Sequence, residues 1–271
     1  MLQGYRVLYH CIHSAFAIIA YVLRKFRHEP PRSLNRNRFV QLFSSHSHFN
    51  LYNNMMSNGV PVEELVKHLD FDENDVERIS FRKVKPSLDI VDPDPTWPST
   101  YAIFASRIVA ALGPASSLNG AEPGTGHLVS VSHVGSTSVP GLPAKAVIDI
   151  DIVVPDINDE SAYVPALESQ GFQFMLREPK WHGHRFFTAA EPMFANLHVW
   201  GPACAEAERH SIFKEWLIEN LDDRELYAKT KRECSEASKL GGESMMEYTY
   251  RKEGVIKDIL QRAFKRFGYV T

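Results

Sequence analysis

Apolar residues first recur at helical spacing within 62–75, where Leu65, Val66 and Leu69 share one side of a short segment. A polar connector over 78–85 follows and ends at Pro86. The run VDPDPTWP at 91–98 is too rich in proline for a helix interior, whereas Pro98 and Ser99 suit a first helical turn. Tyr101, Phe104, Ile108 and Leu112 then return near the helical period, and Gly113 marks the stop. Residues 114–125 are rich in Gly, Ser and Pro and carry no period, which predicts a surface loop. Strands are predicted at 128–134, 172–176, 184–188 and 195–200, with a helix over 164–170 that Gly171 ends. These strands should extend one sheet. After Gly201 the pattern turns helical. Ile212, Phe213, Trp216 and Leu217 form one stripe, and Leu226, Thr230, Cys234 and Ala237 another. A last helix opens at Ser244, paired with Glu247 in a capping box, and carries Ile256, Ile259, Leu260, Ala263 and Phe264 on its buried side.

The most informative stretch is 133–154, HVGSTSVPGLPAKAVIDIDIVV. Side chains alternate across a strand, so Ile148, Ile150, Ile152 and Val154 share one face while Val147, Asp149, Asp151 and Val153 share the other. Two acids on one face stand roughly 7 Å apart, within reach of one hard cation that keeps phosphate oxygens among its ligands. The competing reading is a structural ion pair with Lys145 or an arginine. Upstream, Gly135 and Ser136 sit where a glycine would let backbone amides approach an anion without Cβ obstruction; a turn that needs only torsional freedom explains the same residues. A Walker loop is excluded, because Gly141 is followed by Leu142 and Lys145 lies further along.

HVGSTSVPGLPAK followed by DID resembles the signature of the GrpB family, a branch of the nucleotidyltransferase-like superfamily. The resemblance extends over about residues 85–267, taking in LDIVDPDPTWP before the motif and WHGHRFF, NLHVWGP and MEYTYRKE after it. It implies an α/β (α+β) fold: a nucleotidyltransferase-like mixed β-sheet flanked by helices, with a helical C-terminal extension. It also implies that Gly135, Ser136 and Thr137 hold a ligand's phosphates and that Asp149 and Asp151 match paired metal-binding aspartates, with Mg2+ or Mn2+ as the expected cation. Active superfamily members generally add a carboxylate from a later strand. Strand 195–200 instead offers Asn196, His198 and Trp200 on one face, which makes His198 the candidate to stand in as ligand or polarising group.

Other candidates surround this core. Arg185 is read as a clamp for phosphate or carboxylate, or else as the partner of Glu178 or an aspartate. His182 and His184 alternate on an extended segment and, with His198, raise the alternative of a histidine-assisted metal hydrolase. Tyr248 and Lys252 lie four apart on the last helix and, with Arg251, could present a hydroxyl and cations to a phosphate; a solvated helix surface is the plain alternative.

Composition narrows the partners. The formal net charge of −3 hides an asymmetry, since residues 1–62 hold seven Lys or Arg against the single acid Glu29, leaving about −9 on the remainder. An acidic body argues against bulk nucleic acid as a partner and leaves a nucleotide or phosphorylated small molecule. Cys11, Cys204 and Cys234 form no CxxC pair, which fits a reducing compartment such as the cytoplasm. Residues 7–23 are largely apolar, broken by His10 and His13, and six basic residues follow between 24 and 38. A mitochondrial transit segment, a membrane anchor and a plain extension all fit loosely, and Met55 or Met56 is an alternative start. The expected organisation is a basic extension over 1–61, a helical lead-in over 62–85 and the main domain over 86–268, with no membrane partner for the folded domain.

Overall fold

Alternation along residues 147–153 places three isoleucines on one side of a strand and two aspartates on the other, and the fold is arranged around that division. The computed structural model describes residues 56–69, 72–115 and 127–271. The short strands β1 (Met56–Ser57) and β2 (Val60–Pro61) pair as a hairpin before helix α1 (Val62–Val66). There follow β3 (Glu77–Arg78), α2 (Trp97–Leu112), β4 (Ser130–Val134), β5 (Val147–Val153), α3 (Val164–Ser169), β6 (Gln173–Glu178), β7 (His184–Ala189) and β8 (Phe194–Trp200). Three helices close the chain: α4 (Ala205–Glu219), α5 (Leu221–Leu240) and α6 (Met245–Phe267).

The strands form one six-stranded mixed sheet in the order β3-β6-β7-β8-β5-β4. Only β5 and β8 run parallel; the other neighbours are antiparallel. The single sheet is what the pattern predicted, and its mixed order with flanking helices is what the family resemblance implied. Ile148, Ile150 and Ile152 are fully buried and pack with Leu197, Val199 and Phe187 against Phe104, Ile108 and Leu112 of α2 and Leu167 of α3. Each such aliphatic side chain withdrawn from water stabilises the fold by about 1.5–3 kcal/mol. Gly113 and Gly171 end α2 and α3 with φ of 84° and 85°, a conformation that suits glycine.

The opposite face, which carries the aspartates, is covered by the C-terminal helices. Ser244 opens α6 through the predicted capping box, its hydroxyl accepting from the Glu247 amide at 3.3 Å while the Glu247 carboxylate accepts from the Ser244 amide at 2.6 Å. Ile259, Ala263 and Phe264 of α6 are buried as expected. The stripe predicted for α5 is displaced. Leu226 is 43% exposed, while Tyr227, Lys231, Ser235 and Ser238 face inward. The buried side of α5 is polar, so a hydrophobic period could not locate it.

The lead-in is less helical than expected. Beyond α1 its described residues hold a single 3-10 turn (Glu73–Asp75), pair β3 with the edge of β6, and secure Ser80 by a hydroxyl bond to the Phe174 carbonyl. Among the described residues no helix is long and apolar enough to cross a membrane. The expectations for residues 1–55, and for the loop over 116–126, lie outside the described residues.

Candidate functional site

The turn after β4 is built against Asp149. Gly135 adopts φ 66° and ψ −171°, and a Cβ added there would stand 2.3 Å from the Asp149 Oδ2. Glycine is therefore required twice over, by its backbone and by the approach of the carboxylate. Ser138 closes the turn by donating its hydroxyl to the Gly135 carbonyl at 2.7 Å. Ser136 is partly exposed, and its hydroxyl bonds to no described residue, which leaves it available to a ligand. Thr137 is not so placed. It is buried, lies 3.0 Å from His133 Nε2 and donates to the Val147 carbonyl at 3.3 Å, so it ties the turn to β5 and does not face a ligand.

Asp149 and Asp151 share the face opposite the isoleucines, as alternation required. Their surroundings differ. Asp149 accepts a hydrogen bond from Asn196 Nδ2 at 2.7 Å, and burial pushes its carboxyl upward against that bond and the charge of Lys145. Asp151 pairs with His210 of α4 at 2.8 Å. Burial would raise Asp151, yet His210 holds it below the ordinary carboxylate range. For His210, burial is again opposed: the charge and hydrogen bond of Asp151, together with the charge of Glu206, lift the imidazole to about 9. The other oxygen of Asp151, Oδ1, is buried without a hydrogen-bond partner. The Trp200 indole N–H lies close enough to favour the charged form without reaching bonding geometry.

Opposite these acids, β8 presents Asn196 in register with Asp149 and His198 in register with Asp151. His198 Nδ1 lies 2.9 Å from His184 Nε2, and His184 Nδ1 lies 2.6 Å from Glu178. Burial holds both imidazoles neutral, with His184 lowered to about 3 and His198 well below its usual value. The Glu178 carboxyl is pushed up to about 7 by burial and by Asp75. His184 thus spends both ring nitrogens inside the protein. His182 stands apart, its Nε2 4.0 Å from Glu206. The three histidines do not converge on a metal, and among the described residues no group of three or more His, Cys, Asp or Glu side chains is arranged to hold one unaided.

Two carboxylates are nevertheless a fitting set for Mg2+ or Mn2+, because such ions commonly take one or two protein carboxylates and complete their shell with phosphate oxygens and water. The orphaned Asp151 Oδ1 is the observation that supports the fit; its burial without a donor is costly unless something positive meets it.

Cations gather on the Asp149 side. Arg82, from the lead-in, donates Nη2 to the Asn196 side-chain Oδ1 at 2.5 Å and keeps Nη1 buried without a partner. Lys145 and Lys252 each hold their ammonium 4.5 Å from the centre of the Tyr248 ring. Lys231 of α5 donates to the Pro143 carbonyl and stands 4.8 Å from the Tyr227 ring. Tyr248 is 1% exposed, so the solvated surface considered for that side of α6 is not what forms. Lys145 and Lys252, both candidate phosphate binders, are brought together on Tyr248; Arg82 and Lys231 are additions. The signal for Lys231 was present as YAKTK at 227–231, which repeats the tyrosine-to-lysine spacing of YTYRK at 248–252.

Two expected binders are elsewhere. Arg185 points to the isoleucine side, where its Nε donates to Glu160 at 2.9 Å and its Nη1 to the Gly183 carbonyl at 2.7 Å. Its partner is an acid no nearby motif suggested, and the partly buried pair, which Glu160 shares with Arg177, is structure, not a clamp. Arg251 is paired with Glu243 at the exposed start of α6.

Comparison with known proteins agrees with this architecture. Residues 87–262 match the GrpB protein family. The chain is 34% identical over 194 residues to a UPF0157 protein of Halalkalibacterium halodurans, covering 70% of this chain and 91% of that one. A UPF0157 protein of Pseudomonas aeruginosa is 36% identical over 179 residues, covering 65% and 67%. A dephospho-CoA kinase of Mycolicibacterium paratuberculosis is 29% identical over 202 residues, covering 65% of this chain and 46% of the kinase. The crystal structure of conserved protein GrpB from Enterococcus faecalis superposes with a TM-score of 0.53 at 23% identity, covering 66% of this chain and 99% of that one, and so shares the fold. Motif, sheet and relatives together place the chain in the GrpB family.

Proposed function

We propose that the chain binds a nucleotide, or another phosphorylated small molecule, over the aspartate face of β5 and transfers its nucleotidyl group to an acceptor. The observation that carries this reading is the packing of Asp149 against the Gly135 turn, with the unpartnered Asp151 Oδ1 on the same face. Asp149 and Asp151 would hold Mg2+ or Mn2+, which when bound screens charge developing on the phosphates. Ser136 and the turn amides orient the leaving diphosphate. Asn196 and Arg82 fix the Asp149 carboxylate, and the helical cover limits water around the reacting phosphate.

A second reading, a binding module without transfer, is favoured by one specific feature: β8 sets Asn196 and His198, not an acid, opposite the two aspartates. Incubation with α-labelled nucleoside triphosphates, with and without Mg2+, separates the two. Diphosphate release with label transfer, lost in Asp149→Asn, is the expected result. Saturable binding without release supports the module, and the absence of both overturns the assignment.

A further inference from the structure

Two helices present the same short ladder to the same place. Tyr227 and Lys231 stand four apart on α5, Tyr248 and Lys252 four apart on α6, and the ladders meet where the Lys252 ammonium lies 6.0 Å from the Tyr227 ring and 4.5 Å from the Tyr248 ring. Lys145 reaches Tyr248 from the loop before β5, and Arg82 arrives from the lead-in. Among the described residues, none of Arg82, Lys145, Lys231 or Lys252 has a carboxylate within ion-pairing distance. The acid that acts on Arg82, Lys145 and Lys231 is Asp149, and the cations act unfavourably on one another. Cations gathered without counter-ions, one of them 2% exposed, are a costly arrangement that an anion relieves. Tyrosine faces lessen that cost and hold the lysine stems in place.

We infer that Arg82, Lys145 and Lys252, with Lys231 buried behind them, form a cradle that takes a chain of two or more linked phosphates directly on protein cations, without a metal. The charge balance selects the ligand class. Arg82, Lys145 and Lys252 stand against one carboxylate, and an approaching anion favours the charged form of Lys231 as well, so the surplus it meets exceeds the about 1.5–2 negative charges that a single phosphate group brings near neutral pH. Linked phosphates supply enough to match the surplus. Arg82 Nη1, buried without a partner, offers a fixed donor, and the Lys145 and Lys252 ammoniums offer two more. Lys231 donates to a backbone carbonyl and contributes field, not contact.

Calorimetry on the full chain in EDTA, with inorganic tripolyphosphate, pyrophosphate and orthophosphate as probes, tests this directly. Tripolyphosphate should bind at least tenfold more tightly than orthophosphate, and Lys252→Met or Arg82→Met should each weaken it about tenfold or more. Lys229→Met, at a position 74% exposed and paired with Glu233, should change nothing. Should Lys252→Met fail to fold, judged by circular dichroism, Arg82→Met decides. Equal affinity for all three phosphates, no binding, or binding indifferent to both variants overturns the cradle. Tripolyphosphate has no nucleotidyl group, so binding here survives a failure of the transfer proposal, and transfer without metal-free binding leaves that proposal standing while removing this one.

Discussion

Replacing Gly135 by alanine tests the junction on which the site depends. The added methyl group would fall 2.3 Å from Asp149 Oδ2 and 2.8 Å from its Cβ, far inside any van der Waals contact. Because β5 is hydrogen-bonded on both sides, the turn must shift away from the Asp149 Cβ and the carboxylate must rotate and release Asn196. A charged hydrogen bond of that kind is worth about 1.5–3 kcal/mol. Alanine must also adopt a backbone conformation, φ 66° and ψ −171°, that costs of order 1–3 kcal/mol outside glycine. Together these sum to about 2.5–6 kcal/mol, which corresponds to a fall in Tm of about 5–24 °C for a domain of this size. Gly141→Ala is the control: Gly141 also has a positive φ, 78°, yet a Cβ there meets nothing within 4 Å, so only the backbone part applies. Thermal unfolding followed by circular dichroism compares the two. Equal losses, or an unchanged Tm for Gly135→Ala, would refute the account of Asp149 as packed against the turn.

Other outcomes follow from the buried charges. His210, lifted to about 9 from 6.5, contributes stability that is fully present below pH 6.5 and is lost as pH rises through about 9; at 1.36 kcal/mol per pH unit this is at most about 3 kcal/mol. Lys145 and Lys231, lowered to about 8 and about 6, titrate with the opposite sign, so urea denaturation of the wild type should be compared with His210→Gln at pH 6.5 and pH 9.5. An identical pH dependence in both proteins would remove the pair from the account. Arg185→Met should destabilise the fold by about 1.5–3 kcal/mol, since it removes a charged hydrogen bond to the partly buried Glu160, which keeps Arg177, and leave tripolyphosphate affinity unchanged; weaker binding with an intact fold would restore the clamp reading.

How far the residues spoke for themselves depended on whether a period or a partner was needed. Alternation placed Asp149 and Asp151 on one face, and the capping box located the start of α6 at Ser244, because both are local patterns. The aspartates' partners were not legible. His210 lies 59 residues beyond Asp151, and Arg82 lies 114 before Asn196, distances that carry no periodic signal. Arg185 was misplaced for the same reason: its position on β7 fixed which face it takes, but only the register with β8 shows that this face is the isoleucine side. On α5 the apolar stripe misled, since tyrosine, lysine and serine turn inward there.

The two-residue strand β3 has a practical consequence. It lies ahead of residue 87, where the family match begins, yet it occupies the outer edge of β6, and the same segment carries Arg82. A version of the protein trimmed to the family boundary would bare a row of backbone donors and acceptors along β6, an invitation to pair with another molecule. Such a fragment would be expected to self-associate and to misreport ligand affinity, so expression should begin upstream of Glu77.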